Sequence, residues 1–314
     1  MSSRTALVLG ATGGIGGAVA RRLVDAGWRV RALHRGVRPL AAHGLEWCRG
    51  DAMVRSDVAA AAQGASLIVH AVNPPGYKDW HRLVLPMLEN SIAAARGARI
   101  LLPGTLYNYG PDAFPVIDEE APQNPATAKG RIRAAMEERL GRAAQRGEAK
   151  ALIVRAGDFF GPRAGNSWFS QVLVTPGKPL GTLTLPGAPG VGHQWSYIPD
   201  VAETMVRLAD RADLPDMATY HMAGHWDPDG THIAAAIART AGRAGVRTRR
   251  FPWTLVGLAA PFVPLLRELR EMRYLWETPV RLSNSRLVSV LGREPHTPLD
   301  QAVRSSLVGL GCIA

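Results

Sequence analysis

The sequence predicts an α/β fold in which a parallel sheet is doubly wound by helices, followed by a smaller C-terminal α/β lobe. Three observations carry this. Through about residue 155, short apolar runs alternate with stretches of helical period, the pattern of repeated βαβ units. The first apolar run, Thr5 to Leu9, ends in a glycine-rich turn that opens an amphipathic stretch. From Gly157 onward the alternation breaks, and Gly/Pro-rich segments such as Pro176 to Gly192 separate shorter elements.

Strands are expected near residues 5–9, 29–34, 66–72, 99–103 and 150–155, and helices near 14–26, 54–62, 79–96 and 128–146. The last helix carries apolar side chains at Ile132, Ala135, Met136 and Leu140, a helical spacing. A later strand from Trp195 to Ile198, a helix from Val201 to Leu208 and a strand from Thr219 to Met222 predict that the chain re-enters the first sheet. Residues 1–160, with 195–222 returning to them, then form the larger domain. Residues 161–194 and 223–314 form the smaller lobe, which would take the substrate.

With 314 residues and 46% hydrophobic content, the chain is long enough for one large core and a satellite. The formal charge of +11 and pI near 10.4 raise nucleic acid or an anionic membrane as partners. The excess is one of arginine, 33 against 4 lysines, spread over the whole length. Only Arg247, Arg249 and Arg250 form a tight cluster, with no aromatics interleaved, so no nucleic-acid partner is expected. Cys48 and Cys312 make neither a disulfide framework nor a metal spacing, and His193, His221, His225 and Asp227 are too scattered for a metal site. Thr5 to Leu9 runs straight into the glycine turn, which leaves no room for a signal peptide, and a cytoplasmic location is expected. The longest apolar stretch, Leu255 to Leu266, is 12 residues interrupted by Pro261 and Pro264, too short to span a bilayer.

The chemistry begins at Gly10-Ala11-Thr12-Gly13-Gly14-Ile15-Gly16, directly after a strand and before a helix. Gly10 suits the tight turn, Gly13 the close approach of backbone to a pyrophosphate, and Gly16 the packing of helix on strand. The helix N-terminus offers its N–H groups to the phosphates. This is the dinucleotide cradle of a Rossmann-type sheet, with Thr12, Gly14 and Ile15 completing it.

The Gly-x-x-Gly-x-x-Gly spacing resembles that of the extended short-chain dehydrogenase/reductase family, which includes the NAD-dependent epimerases and dehydratases. Gly50-Asp51, with Ala52, resembles the pair that borders the adenine pocket, and His70-Ala71-Val72-Asn73 the strand-four turn beside the cofactor. The segment from Arg155 to Pro162 resembles the family's Arg-Pro-x-x-x-x-Gly-Pro element, and Tyr197 to Ala202 a later family element ending in Asp200-Val201-Ala202. The resemblance spans roughly residues 4–225 and implies that Arg155 helps to hold the cofactor.

An acid at the end of the second strand would pair with the adenosine ribose and repel a 2′-phosphate. None is present. His34 and Arg35 stand there instead, with Arg38 near. A guanidinium-phosphate bond contributes about 1.5–3 kcal/mol, which predicts NADP(H) over NAD(H), with NAD(H) as the other possibility.

The family's chemistry implies a Ser or Thr after strand five, a Tyr acting as acid/base and a Lys four residues later. Thr105 falls at the hydroxyl position. No tyrosine lies between Tyr109 and Tyr197, so the Tyr-x-x-x-Lys pattern is missing. Anchoring on Asn124-Pro125 puts Ala126 and Gly130 at its two positions, whereas anchoring on Glu137 puts Lys129 and Arg133 there, on one helical face. Under the second alignment Lys129 and Arg133 grip the ribose, and the acid is Lys129, Tyr107 or Tyr109. Two readings stand: an NADP(H)-dependent oxidoreductase or epimerase-like enzyme acting on a small carbonyl-type or sugar-like substrate, or a cofactor-binding sensor without turnover. The apolar and then charged stretch Phe251 to Trp276 is expected to pack in the small lobe, line a substrate pocket, make a homodimer face, or lie on a membrane surface with Arg267, Arg270 and Arg273 at the headgroups.

Overall fold

Thr5–Leu9, the first strand, is buried along its whole length, which requires cover on both faces. Helices supply that cover in a computed structural model that describes residues 4–36, 44–74, 79–165, 167–242 and 246–314. The first half runs β1 (Thr5–Leu9), α1 (Gly14–Asp25), β2 (Arg29–His34), β3 (Leu45–Arg49), α2 (Arg55–Ala61), β4 (Leu67–His70), α3 (Trp80–Ala95) and β5 (Arg99–Gly104). It continues through β6 (Val116–Ile117), α4 (Ala128–Gln145), β7 (Lys150–Arg155), β8 (Asp158–Phe160) and β9 (Leu183–Leu185). Next come β10 (His193–Tyr197), α5 (Ile198–Ala209), β11 (Met217–His221), β12 (His225–Asp227), α6 (His232–Thr240) and β13 (Thr248–Arg250). The chain closes with α7 (Trp253–Ala259), α8 (Pro264–Glu271), β14 (Arg281–Leu282), α9 (Ser285–Leu291) and α10 (Leu299–Gly309).

Seven strands form one sheet in the order β11-β7-β5-β4-β1-β2-β3. All six pairings within it are parallel. The chain winds outward from β1 to β3 on one side and from β4 to β11 on the other, so the direction reverses between β1 and β4. A doubly wound sheet opens its ligand crevice there, outside the carboxyl ends of the strands. One apolar layer, with Val19, Leu23, Val201 and Met205, packs α1 and α5 on one face. The other face carries Val58, Val84, Leu88, Met136 and Leu140 from α2, α3 and α4.

The expected strands and helices of the first half are all present, with ends shifted by up to two residues. Leu45–Arg49 is an additional edge strand. Its side chains are partly or fully exposed throughout, so it carries no strong apolar alternation to read. The return to the first sheet is made by α5 and β11 alone. The strand at His193–Tyr197 instead joins a separate three-stranded sheet, β12-β10-β8, because β8 breaks away after Arg155 and takes β10 as its parallel partner. Around this small sheet Phe160, Phe169, Trp195 and Trp276 build an aromatic core, with His193 stacked on Trp276 at 3.6 Å between ring centres. Two short pairs complete the topology, β13 with β9 and β14 with β6.

Candidate functional site

A cleft of about 580 Å³ lies at the carboxyl ends of β1, β2, β4 and β5. Its middle is the glycine turn. Gly10 has φ +92°, and a Cβ there would stand 2.5 Å from the Ala71 carbonyl oxygen, so β1 and the β4 turn touch backbone to backbone. A Cβ on Gly16 would meet the Gly10 oxygen at 2.3 Å, which is what lets α1 start so close to β1. Gly16 packs behind the turn rather than lining the cleft. Gly13 differs from both: its backbone is extended, and the only atom within 4 Å of an added Cβ is the Gly10 oxygen at 3.3 Å. The first turn of α1 has no side-chain cap and no acidic residue, so the N–H groups at its start face the cleft with their partial positive charge uncompensated.

On the β2 side the cleft is lined by His34, Arg35, Asp51 and Ala52. Arg35 is exposed and its guanidinium is at the rim. The Asp51 carboxylate accepts from the Met53 N–H at 2.9 Å, an Asx-type turn that orients it along its own loop. Arg38 lies outside the described residues.

On the other side, Ala71, Val72, Asn73, Thr105, Tyr107 and Arg133 line the cleft, with His70 at its floor. Arg133 donates to Asn73 Oδ1 at 3.1 Å and lies over the Trp80 ring at 5.2 Å. Its Nε is buried without a partner. His70 is also buried. Ser91 Oγ donates to the Met87 carbonyl, so its remaining role toward His70 Nδ1, at 2.8 Å, is that of acceptor. That assigns the proton to Nδ1 and leaves Nε2 a bare lone pair, likewise without a partner. Burial, and then the charge of Arg133, pushes the His70 pKa down to about 3, so the ring is neutral at physiological pH.

Thr105 is tied into a buried polar network. Its hydroxyl donates to Asn108 Oδ1 at 2.6 Å. The Asn108 orientation is set by its amide group, which donates to Glu137 at 2.8 Å and to Gln123 at 2.9 Å. Glu137 also accepts from Gln123 and from Arg155, each at 2.7 Å. Arg155 donates further to the Thr105 carbonyl at 2.8 Å and to His221 Nε2 at 3.1 Å. The Thr105 proton is therefore committed inward, and its lone pairs are what the cleft receives.

Besides Gly16, three expected site residues lie outside the cleft lining. Arg155 does not line the cleft: it is 0% exposed, and a guanidinium at that depth persists only with its donors engaged and a carboxylate beside it, which Glu137 supplies. Tyr109 is 1% exposed and its hydroxyl meets His221 Nε2 at 3.2 Å, so it belongs to the same buried network. Lys129 is buried in the first turn of α4 and does not line the cleft, although Arg133 one turn later does. Conversely, Ser167 and Ile198 from the second half line the cleft, as do His70 and Trp80. His70 sits inside a segment already singled out, whereas Asn108, Gln123 and Glu137 show no spacing that would have grouped them.

Among the described residues there is no group of His, Cys, Asp or Glu arranged to hold a metal ion, and no helix long and apolar enough to cross a membrane. Residues 6–223 match the family described as NAD dependent epimerase/dehydratase. The chain belongs to that family. Solved structures repeat this family member's fold over nearly its whole length. One is MoeE5 in complex with UDP-glucose and NAD, at 18% identity and TM-score 0.76, covering 98% of each chain. The UDP-glucose 4-epimerase of Thermus thermophilus in complex with NAD has 19% identity and TM-score 0.73, again covering 98% of each chain. The UDP-glucuronic acid 4-epimerase of Bacillus cereus, solved with UDP-glucuronic acid and NAD, has 14% identity and TM-score 0.74, with the same coverage. No curated protein matches this family member in sequence. At these identities the solved structures establish the fold, the doubly wound sheet with its smaller lobe.

Proposed function

We propose that the cleft binds a nicotinamide dinucleotide and that the protein is an oxidoreductase of the epimerase/dehydratase type acting on a small carbonyl-type or sugar-like substrate. The observation that carries the reading is the pair of unpartnered buried atoms on the β4–β5 side, the donor Arg133 Nε and the acceptor His70 Nε2. Left unmet, such groups cost about 1–3 kcal/mol each. Ribose hydroxyls, which donate and accept at once, would answer both. The pyrophosphate would then lie on the N-terminus of α1 against Gly13, and the adenosine half between His34, Arg35 and Asp51. When bound, the nicotinamide supplies or removes hydride at the reacting carbon.

The chain's own part is to hold that carbon and move a proton. Thr105 Oγ, with its proton given to Asn108, accepts a hydrogen bond from a substrate hydroxyl. Tyr107 is the phenol that lines the cleft, and we assign it as acid/base in place of the absent helix tyrosine. Arg133 keeps its proton and acts by orientation and charge. Tyr107→Phe is expected to lower turnover by about 10²–10⁴-fold with cofactor affinity retained. Thr105→Val is expected to lower it by about tenfold, the cost of one lost hydrogen bond. Steady-state assays of product formation and of cofactor consumption, over a panel of carbonyl and sugar-nucleotide substrates, check both; full activity in both variants refutes the placement of the chemistry.

NADP(H) is the proposed preferred form. The cleft-lining His34 and Arg35, with no acid at the end of β2, support it, since a 2′-phosphate there would meet a guanidinium. Fluorescence titration of both reduced cofactors is expected to show a preference of about tenfold for NADPH, which Arg35→Ala removes. Equal or tighter binding of NADH to the parent protein would refute it. The second reading, binding without turnover, is favoured by one observation: the cleft-lining charged residue of α4 is an arginine, which has no proton to give. Tight binding with neither cofactor consumption nor conversion of any substrate in that panel would select it.

A further inference from the structure

The α7–α8 tip has two apolar sides. Val256 and Ala260 are buried, 6% and 1% exposed. Leu255 and Leu258, three apart on α7, are 63% and 74% exposed, and in the turn that follows Phe262 and Val263 are 84% and 41% exposed, so the four make one run of exposed apolar side chains. Core packing in the small lobe thus accounts for only the inner side of this stretch. A helix facing plain water would be polar here.

Charge surrounds the stripe. Arg247, Arg249 and Arg250 are exposed just before it, and Arg267, Arg270 and Arg273 just after. Between residues 247 and 273 the chain has these six arginines against two glutamates. Arg267 donates to the Pro261 carbonyl at 3.3 Å, which holds its guanidinium next to Phe262.

We propose that this tip is a membrane-surface anchor for bilayers that carry anionic lipid. Exposed apolar side chains flanked along the chain by arginines match the interface of such a bilayer, where the stripe enters the acyl boundary and the guanidiniums stay among the phosphates. A second copy of the chain fits poorly, because a twofold contact sets each patch against itself and would bring the arginines face to face. A small ligand fits poorly too, since none of the stripe residues lines the cleft. The anchor is joined to the cleft. Glu271 accepts from the Ala128 N–H at the start of α4, and the Tyr274 hydroxyl donates to the Tyr109 carbonyl at 3.1 Å. Seating the tip would therefore hold the Thr105 and Arg133 end of the cleft near the surface.

Cosedimentation of the full chain with vesicles tests this, using phosphatidylcholine alone and phosphatidylcholine with about one third phosphatidylserine. Binding is expected to the anionic vesicles, weaker at high salt. Leu258→Ser with Phe262→Ser should reduce it about tenfold or more, Arg267→Gln with Arg270→Gln about tenfold, and Phe262→Leu, which keeps the apolar bulk, little. No binding to either vesicle, or equal binding by the serine variant and the parent, overturns the proposal. So does a dimer in sedimentation velocity that the serine variant dissociates, which would give the patch to a second copy. Salt-sensitive binding of polyglutamate without vesicle binding would give it to an acidic polypeptide and equally overturn the membrane assignment.

Discussion

Gly13→Val is expected to abolish nicotinamide dinucleotide binding, a loss of at least about 100-fold in affinity, while the protein stays folded. The two halves of that outcome have separate causes. Folding survives because Gly13 already has an extended backbone that any residue adopts, and the nearest obstacle to a Cβ is a single carbonyl oxygen at 3.3 Å. Binding fails because the branched side chain fills the space where a pyrophosphate must touch the backbone, and displaces it from the N–H groups of α1. Gly16→Val is the contrasting variant. Its Cβ would stand 2.3 Å from the Gly10 oxygen, backbone against backbone, so it should lose stability as well as binding. Circular dichroism melts beside fluorescence titration separate the two, and undiminished binding by Gly13→Val would mean that the turn is not the cradle.

Glu137→Gln is expected to destabilise the protein by about 3–5 kcal/mol, far more than a surface ion pair would cost. The substitution keeps size and shape but removes the charge opposite Arg155, which is 0% exposed and has no route to water. It also leaves one amide oxygen where two carboxylate oxygens served Asn108, Gln123 and Arg155, so one of these donors faces an amide N–H, which loosens the Asn108 orientation and, with it, the inward commitment of the Thr105 proton. Urea unfolding measures the first effect. The second is read as a fall in turnover at a temperature where the variant is still folded. A loss below about 1 kcal/mol would show that the Glu137–Arg155 pair is not the hub of this network. Glu137→Leu with Arg155→Met, which removes both charges, is expected to recover much of the stability, since a buried pair is worth little more than an apolar replacement of similar volume.

The glycine turn was legible because its constraints are local. A tight turn, a close backbone approach and a helix start each demand a residue without a side chain, at offsets of three along the chain. The cleft-lining residues His34, Arg35, Asp51, Ala71 and Asn73 were legible for a related reason: each stands at a strand end, and in a parallel sheet the strand ends meet along one edge. The helix face was half legible. A spacing of four places Lys129 and Arg133 together on α4, but it cannot say how far that face extends into the cleft, and only Arg133 reaches it.

By itself, then, the sequence determined the succession of strands, helices and turns in the parallel half, the tight glycine turn between β1 and α1 and the absence of a tyrosine from α4, all of which follow from neighbours in the chain. The tertiary structure alone decided that Arg155 and Tyr109 are sequestered, that the Thr105 proton points inward and that the β10 strand leaves the main sheet. These depend on side chains from Glu137, His221 and β8 meeting across separations of up to 112 residues. Burial makes such meetings decisive, because a charge or hydroxyl removed from water must take whatever partner the fold brings to it.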